Sequence, residues 1–375
     1  MGDISTIIRE AKIIIIKIGS ALLVNPETGD LRETWLAGVA ADVAKLRKTG
    51  SSVIIVSSGA IALGRGKLGL RGRKLSLAEK QACAAVGQAA LTRAYEDALA
   101  PHNHVTAQAL LTLTDTEDRA RWINASRTLR ALLKLGAIPI INENDTVATD
   151  EIRYGDNDRL AARTAQMVGA NVLILLSDID GLYTADPRSD GSAKHIAKID
   201  SLTPQIMAMG GDPNAASAVG TGGMATKLLA ADIAVKAGCH LIITSGETAS
   251  PISALIDGAK ASWFVAKADP ASARKQWISG SLKSHGQVHI DDGAMNALRN
   301  GKSLLPAGAT SSAGGFDAGD AVTVIHEGKA VAKGLAGYSA AETLQILGLK
   351  SGDISAKLGY SHGAALIHRD NLVLL

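Results

Sequence analysis

Several stretches of this 375-residue chain place lysines, hydroxyls and acidic groups beside glycine, where such groups can meet a phosphate or a small polar substrate. The first is Gly220-Thr221-Gly222-Gly223-Met224-Ala225-Thr226-Lys227, immediately before a helix-forming segment. Glycine lets backbone approach a phosphate without interference from a Cβ, and the following helix aims N–H groups at it. Lys227 falls in that helix's first turn, where its charge opposes the helix dipole by ~0.3–1 kcal/mol unless an anion is bound. The placement favours a phosphate site, although a bare Gly-rich turn with a solvated lysine would read similarly. Further groups follow apolar runs: Lys17-Ile18-Gly19-Ser20, Ser57-Ser58-Gly59-Ala60, and Ser177-Asp178 with Asp180-Gly181 close behind. The densest polar stretch is Asn142-Glu143-Asn144-Asp145, then Gly155-Asp156-Asn157-Asp158. These groups could grip an amine, orient lysine side chains or hold Mg2+ through water, or form no more than a pair of Asx turns.

Two familiar nucleotide motifs do not fit. No Gly-x-x-x-x-Gly-Lys-Ser/Thr occurs around Lys227, because the residue five after Gly220 is Ala225. Gly64, Gly66 and Gly69 match Gly-x-Gly-x-x-Gly, but they are expected beyond a short helix after Val56, and Arg71-Gly72-Arg73-Lys74 follows instead of an apolar helix. The match is taken as a coincidental Gly-rich loop, which argues against a Rossmann dehydrogenase. Five of the nine histidines (His285, His289, His326, His362 and His368) lie in the C-terminal quarter without metal-ligand spacing. Cys83 and Cys239 are far apart among small or apolar residues and read as buried hydrophobes in a reduced compartment.

The elements that must position these groups are short β-branched apolar runs: Ile13 to Ile18, Val53 to Val56, Ala137 to Ile141, Val172 to Leu176 and Leu241 to Thr244. Between them lie segments with helical spacing at Trp35 to Leu46, Leu77 to Leu99, Trp122 to Leu135, Leu160 to Val168 and Met224 to Val235. Uninterrupted apolar strands alternating with helices predict a mainly parallel sheet covered on both faces, an α/β three-layer αβα sandwich with right-handed crossovers. In such a sheet ligands bind beyond the carboxyl ends of the strands, where the small and charged residues gather.

From about Ala268 the texture changes, and the expected organisation is a catalytic domain over 1–268, a linker over 269–284 and a small, mostly β domain over 285–375. Strands are expected at Gln287 to Ile290, Ala321 to Ile325 and Ala364 to His368, with a helix at Ser339 to Leu347. The tail carries seven Lys and Arg against eight Asp and Glu, within a chain whose net charge is +3. It holds only Phe316, Tyr338 and Tyr360 as aromatics. Both features argue against nucleic acid, which needs cations for phosphates and rings for bases. The apolar run at Ile13 to Ile16 is too short for a signal peptide or a membrane span, so a cytoplasmic protein without membrane attachment is expected.

Taken together the residues resemble the amino-acid kinase family, and within it the branch that phosphorylates the side-chain carboxylate of L-glutamate. The resemblance is carried by Ile15 to Ser20, Ser58 to Ile61, Ile141 to Asp145, Gly155 to Asp158, Asp180 to Arg188 and the Gly220 to Lys227 loop. The tail looks like a PUA domain, with Val288 to Ala294, Ser303 to Pro306 and His368 to Asp370 as its recognisable pieces. The resemblance implies ATP-dependent formation of glutamyl 5-phosphate, the first step of proline synthesis. It implies Lys17, Lys227 and Asp158 as the catalytic group, with Asp158 orienting the two lysines. Lys17, Ser177, Asp178 and Thr221, Gly222, Gly223, Met224, Ala225, Thr226 and Lys227 would hold ATP, and Ser58, Asp145 and Asn157 would hold glutamate. Mg2+ would ride on the phosphates, its protein ligands unknown. Proline as feedback inhibitor, a homo-oligomer and a glutamyl phosphate reductase as partner are further expectations. The alternatives are another substrate of the family (aspartate, acetylglutamate, carbamate or UMP) and an RNA-binding role through the tail.

Overall fold

The computed structural model describes residues 3–147, 156–211 and 223–375. It divides into two compact units, one of Met1–Glu117 with Ala125–Pro270, the other of Asp118–Asn124 with Ala271–Leu375. The segment expected as a linker carries a helix, Pro270–Ser281.

The first unit contains the strands β1 (Ile13–Ile18), β2 (Ser52–Ser57), β3 (Thr106–Leu111), β4 (Ile138–Glu143), β5 (Val172–Ser177), β6 (Leu182–Tyr183), β7 (His195–Ile196), β8 (Lys198–Ile199), β9 (His240–Ser245) and β10 (Ala261–Phe264). Eight of them form one sheet in the order β3-β4-β2-β1-β5-β9-β10-β8, while β6 and β7 pair separately. The sheet is parallel except between β9 and β10. β5 is buried along its whole length and β1 from Ile14 onward, as strands covered on both faces must be. The five runs read from the sequence are all strands. β3 escaped because its Thr106-Ala107-Gln108 start breaks the apolar run and most of it is only half-buried. β8 and β10 escaped because they are two and four residues long.

Chain direction across the sheet decides where a ligand can enter. From β1 the chain moves outward to β2 and on to the edge strand β3, comes back to insert β4 between β3 and β2, and then places β5 against the other side of β1. Crossovers therefore leave β1 and β5 in opposite directions, which opens a crevice beyond their carboxyl ends. Lys17 lies in register with Val56 of β2 and Leu175 of β5, at the mouth of that crevice.

The helix Leu77–Leu99 begins where the sequence placed it, with a capping box in which Ser76 and Glu79 satisfy each other's backbone N–H groups. It packs on the helix Ala60–Lys67, and glycine makes that contact possible. A Cβ on Gly64 would overlap the Cys83 carbonyl, and one on Gly87 would overlap the Ala60 carbonyl. Gly64 and Gly66 thus sit inside a helix rather than in a loop beyond it, and Gly64 serves helix packing. Gly87→Ala is expected to lower stability by about 1–3 kcal/mol, the usual range for overpacking a tight contact. Urea unfolding would show it as a lower midpoint with an unchanged slope.

The second unit holds β11 (Gly286–Ile290), β12 (Ala309–Gly314), β13 (Ala321–His326), β14 (Lys329–Leu335) and β15 (Leu372–Leu374) in the order β12-β11-β13-β14-β15. All pairs are antiparallel except β11 with β13. Its core gathers Val288, Val322, Val324, Tyr338, Ile346 and Ile367. The expected helix is Ala340–Ile346, capped by Ser339 and Glu342. The strand expected at Ala364 to His368 is absent: Ile367 makes one isolated bridge to Leu304, and the pairing strand is β15. Its apolar residues are buried without a ladder partner, which periodicity alone does not reveal.

Candidate active site

Three charged side chains from three elements meet at the crevice. Lys17 is the penultimate residue of β1, Asp158 lies in the first turn of the helix Asp156–Val168, and Lys227 lies in the first turn of the helix Met224–Lys236. Lys17 Nζ is 2.6 Å from Asp158 Oδ1, and Lys227 Nζ donates to Asp158 Oδ2 at 3.1 Å. Asp158 is fully buried, and both lysines are less than a tenth exposed. One carboxylate between two ammonium groups leaves a net positive charge in a nearly dry site. Such an excess is costly unless an anion shares it.

The ionisation of the group follows from this packing. Burial by itself raises the Asp158 carboxyl, but Lys17 and Lys227 outweigh it and hold it at about 2. Burial pushes the Lys17 ammonium below its ordinary value, opposed by Asp158 and reinforced by Lys227. Thr226 donates its hydroxyl proton to the Gly223 carbonyl at 2.8 Å, which leaves its oxygen 3.4 Å from Asp158 Oδ2. Gly223 is the N-cap of the Lys227 helix, so the amides of Met224 and Ala225 fall among the N–H groups that an α-helix leaves without a partner in its own ladder. Thr221 and Gly222, expected in the same loop, lie outside the described residues.

At the end of β5, Ser177 donates to Asp178 Oδ1 at 3.0 Å, and Arg188 donates to Asp178 Oδ2 at 2.7 Å. Burial would raise the Asp178 carboxyl; the hydrogen bonds from Arg188 and Ser177 prevail and hold it below its ordinary value. Arg188 was not among the expected site residues, although it ends the Asp180 to Arg188 stretch. Tyr183 donates to Asp180 at 2.8 Å, and Lys260 donates to the Tyr183 hydroxyl at 2.7 Å.

The amide side of the crevice is joined through hydrogen bonds. Asn157 Nδ2 donates to Ser58 Oγ at 2.8 Å and to Asn142 Oδ1 at 3.1 Å. Asn142 Nδ2 in turn donates to Gln88 Oε1 at 2.8 Å. Tyr95, fully buried, donates to Ser57 Oγ at 2.8 Å and props the strand end that carries Ser58. Asn157 Oδ1 is buried and has no hydrogen-bond partner among the described residues. Asp145 lies in the turn after β4, on the wall of an open cavity of about 540 Å3 that also includes Gln88, Thr92 and Glu143. Gln88 and Tyr95 were not read from the sequence. Their only signal is polarity on the inner face of an Ala-rich helix, which does not say what they meet.

The sequence profile of the amino acid kinase family matches residues 12–245, and that of the PUA domain matches 286–358. The chain belongs to the amino acid kinase family and bears a C-terminal PUA domain. It is 55% identical over 365 residues to the glutamate 5-kinase of Paramagnetospirillum magneticum, covering 97% of this chain and 98% of that one. It is 56% identical over 362 residues to the glutamate 5-kinase of Agrobacterium fabrum, covering 96% of this chain and 92% of the relative. Among solved structures, UMP kinase from Ureaplasma parvum aligns with a TM-score of 0.48 at 17% identity, over 68% of this chain and 98% of that one.

Proposed function

We propose that the protein transfers the γ-phosphoryl group of ATP to the side-chain carboxylate of L-glutamate, giving glutamyl 5-phosphate and ADP, the first step of proline biosynthesis. The observation that carries this reading is the buried Lys17–Asp158–Lys227 group at the β1/β5 crevice, in a chain more than half identical to glutamate 5-kinases over nearly its whole length.

The chemistry agrees with the residues. A free glutamate side chain has a pKa near ~4.3 and is already ionised at neutral pH, so the reaction needs no general base. A carboxylate oxygen attacks the γ-phosphorus, the bond to the β,γ-bridging oxygen breaks, and ADP leaves with the electron pair. Catalysis then rests on alignment and on neutralising charge as the phosphoryl group passes between two anions. Lys17 and Lys227 supply that charge, and Asp158 holds the two ammonium groups in place between them. Ser177, Asp178 and the segment Gly223 to Lys227 take the nucleotide, while Ser58, Asp145 and Asn157 take the amino acid.

Mg2+ belongs to the same reading. Among the described residues no three His, Cys, Asp or Glu are grouped as a metal cage, and Asp158 and Asp178 are each engaged by cations. That donor set suits an ion that would be held mainly by phosphate oxygens and water, where it would supply positive charge against the phosphates. Proline as a feedback inhibitor, self-association and a reductase that consumes the labile acyl phosphate complete the proposal, with a cytoplasmic location. No helix among the described residues is long and apolar enough to cross a membrane.

The test is ADP release with a panel of L-glutamate, aspartate, acetylglutamate, carbamate and UMP, with hydroxylamine present to trap an acyl phosphate. Glutamate-dependent hydroxamate is the expected result. Turnover with another acceptor and none with glutamate would leave the family membership standing and overturn the substrate.

A further inference from the structure

The amides of Gln88, Asn142 and Asn157 form a chain whose direction is not arbitrary. Each side-chain amide has one accepting and one donating end, so a row of three can run either way if all three turn over together. One end of this row is pinned. Thr92 donates its single hydroxyl proton to the Gln88 backbone carbonyl at 2.9 Å, which leaves its oxygen able only to accept. Gln88 Nε2 lies 3.5 Å from that oxygen, an arrangement that favours Gln88 Oε1 facing Asn142. Asn142 then offers Oδ1 to Asn157, and Asn157 spends Nδ2 on Asn142 and Ser58. What remains is Asn157 Oδ1, a buried acceptor with no partner among the described residues.

We propose that Thr92 and Gln88 are positioning residues that set the direction of this amide relay, so that Asn157 presents an acceptor, Oδ1, to the substrate's ammonium group. Gln88 and Asn142 are a tenth or less exposed, and a buried polar row of this kind keeps its direction only while its members stay paired. Were the row reversed, Asn157 would present its NH2 group, which meets an ammonium donor to donor. The relay therefore selects an amine-bearing substrate through Asn157, whose unpaired end Gln88 and Thr92 set. The inference rests on the proposed function for the identity of that substrate as glutamate.

The test compares L-glutamate with glutarate, which keeps both carboxylates and lacks the amine. KM and kcat for L-glutamate, and Ki for glutarate as its competitor, are measured on the wild type, Gln88→Leu, Gln88→Glu and Thr92→Val. In Gln88→Leu the glutamate KM is expected to rise about tenfold, the usual scale for losing a hydrogen bond to a charged group. The expected glutarate Ki changes by less than about twofold, so the ratio between them collapses. Gln88→Glu keeps an acceptor toward Asn142 and is expected to retain the wild-type ratio. Thr92→Val, which leaves all three amides in place, is expected to lower the ratio as well and answers the question should Gln88→Leu fail to fold. Equal weakening of glutamate and glutarate in Gln88→Leu and Thr92→Val, or a ratio that does not move, would overturn the relay. A wild type that turns over no glutamate would overturn the proposed function instead. The same comparison would then be made on the accepted substrate and its deaminated analogue.

Discussion

Replacing Lys227 by alanine is expected to lower kcat by on the order of 10²–10³-fold, the cost of removing one preorganised charge donor from a transition state. The effect should fall mainly on kcat, because the charge matters most as the phosphoryl group leaves one anion for another. Lys17→Ala is expected to do the same from the β1 side. Neither change should unfold the protein, since each removes a buried cation and leaves Asp158 still paired to the other lysine. Initial-rate kinetics with saturating ATP and glutamate, together with thermal unfolding of each variant, would check this. Variants within a few-fold of wild-type kcat would remove the two lysines from the mechanism.

Asp158→Ala is the harsher change, because it acts on stability and rate together. It leaves two ammonium groups facing each other in a buried site, and breaking a buried ion pair in this way costs about 3–5 kcal/mol. Asp158→Asn keeps the shape and tests the charge alone. The Asp158 carboxyl sits at about 2 in the fold against an ordinary value of 3.8. A carboxyl held low in the folded state contributes stability that is fully present above its unfolded value and is lost as pH falls through the folded one. The wild type should therefore exceed Asp158→Asn in stability at pH 5 to 7. That part of its advantage should shrink between about pH 4 and 2, by roughly 2 kcal/mol. Urea unfolding at a series of pH values would measure it; a constant gap down to pH 2 would contradict the assignment. Removing the carboxylate should also let burial and Lys227 depress Lys17 further. The alkaline limb of the pH–rate profile is then expected at lower pH in Asp158→Asn than in the wild type.

The individual strand ends were legible because a strand buried on both faces writes itself as an unbroken β-branched run, and Gly, Ser and Lys mark where that run stops. That is why the sequence by itself places Lys17, Ser58 and Ser177 at one edge of the sheet. The weakly apolar β3 and the very short β8 and β10 carry no such pattern, and their places in the sheet are set by neighbours far away in sequence. Gly64 shows the converse case. Its spacing with Gly66 and Gly69 imitates a nucleotide loop, whereas its role is to admit the Cys83 carbonyl of the helix packed against it.

By itself, then, the sequence determined the parallel α/β sheet, a small and mostly β tail, and the kinds of groups that stand at the strand ends, since these follow from local periodicity and from motifs a few residues long. Tertiary structure alone decided that Lys17, Asp158 and Lys227 share one buried charge balance, and that Thr92 and Gln88 set which end of Asn157 is left unpaired. Burial and hydrogen-bond direction are properties of what surrounds a side chain. In this fold those surroundings come from β1, β4 and three helices, spread along the chain from Ile13 to Lys236.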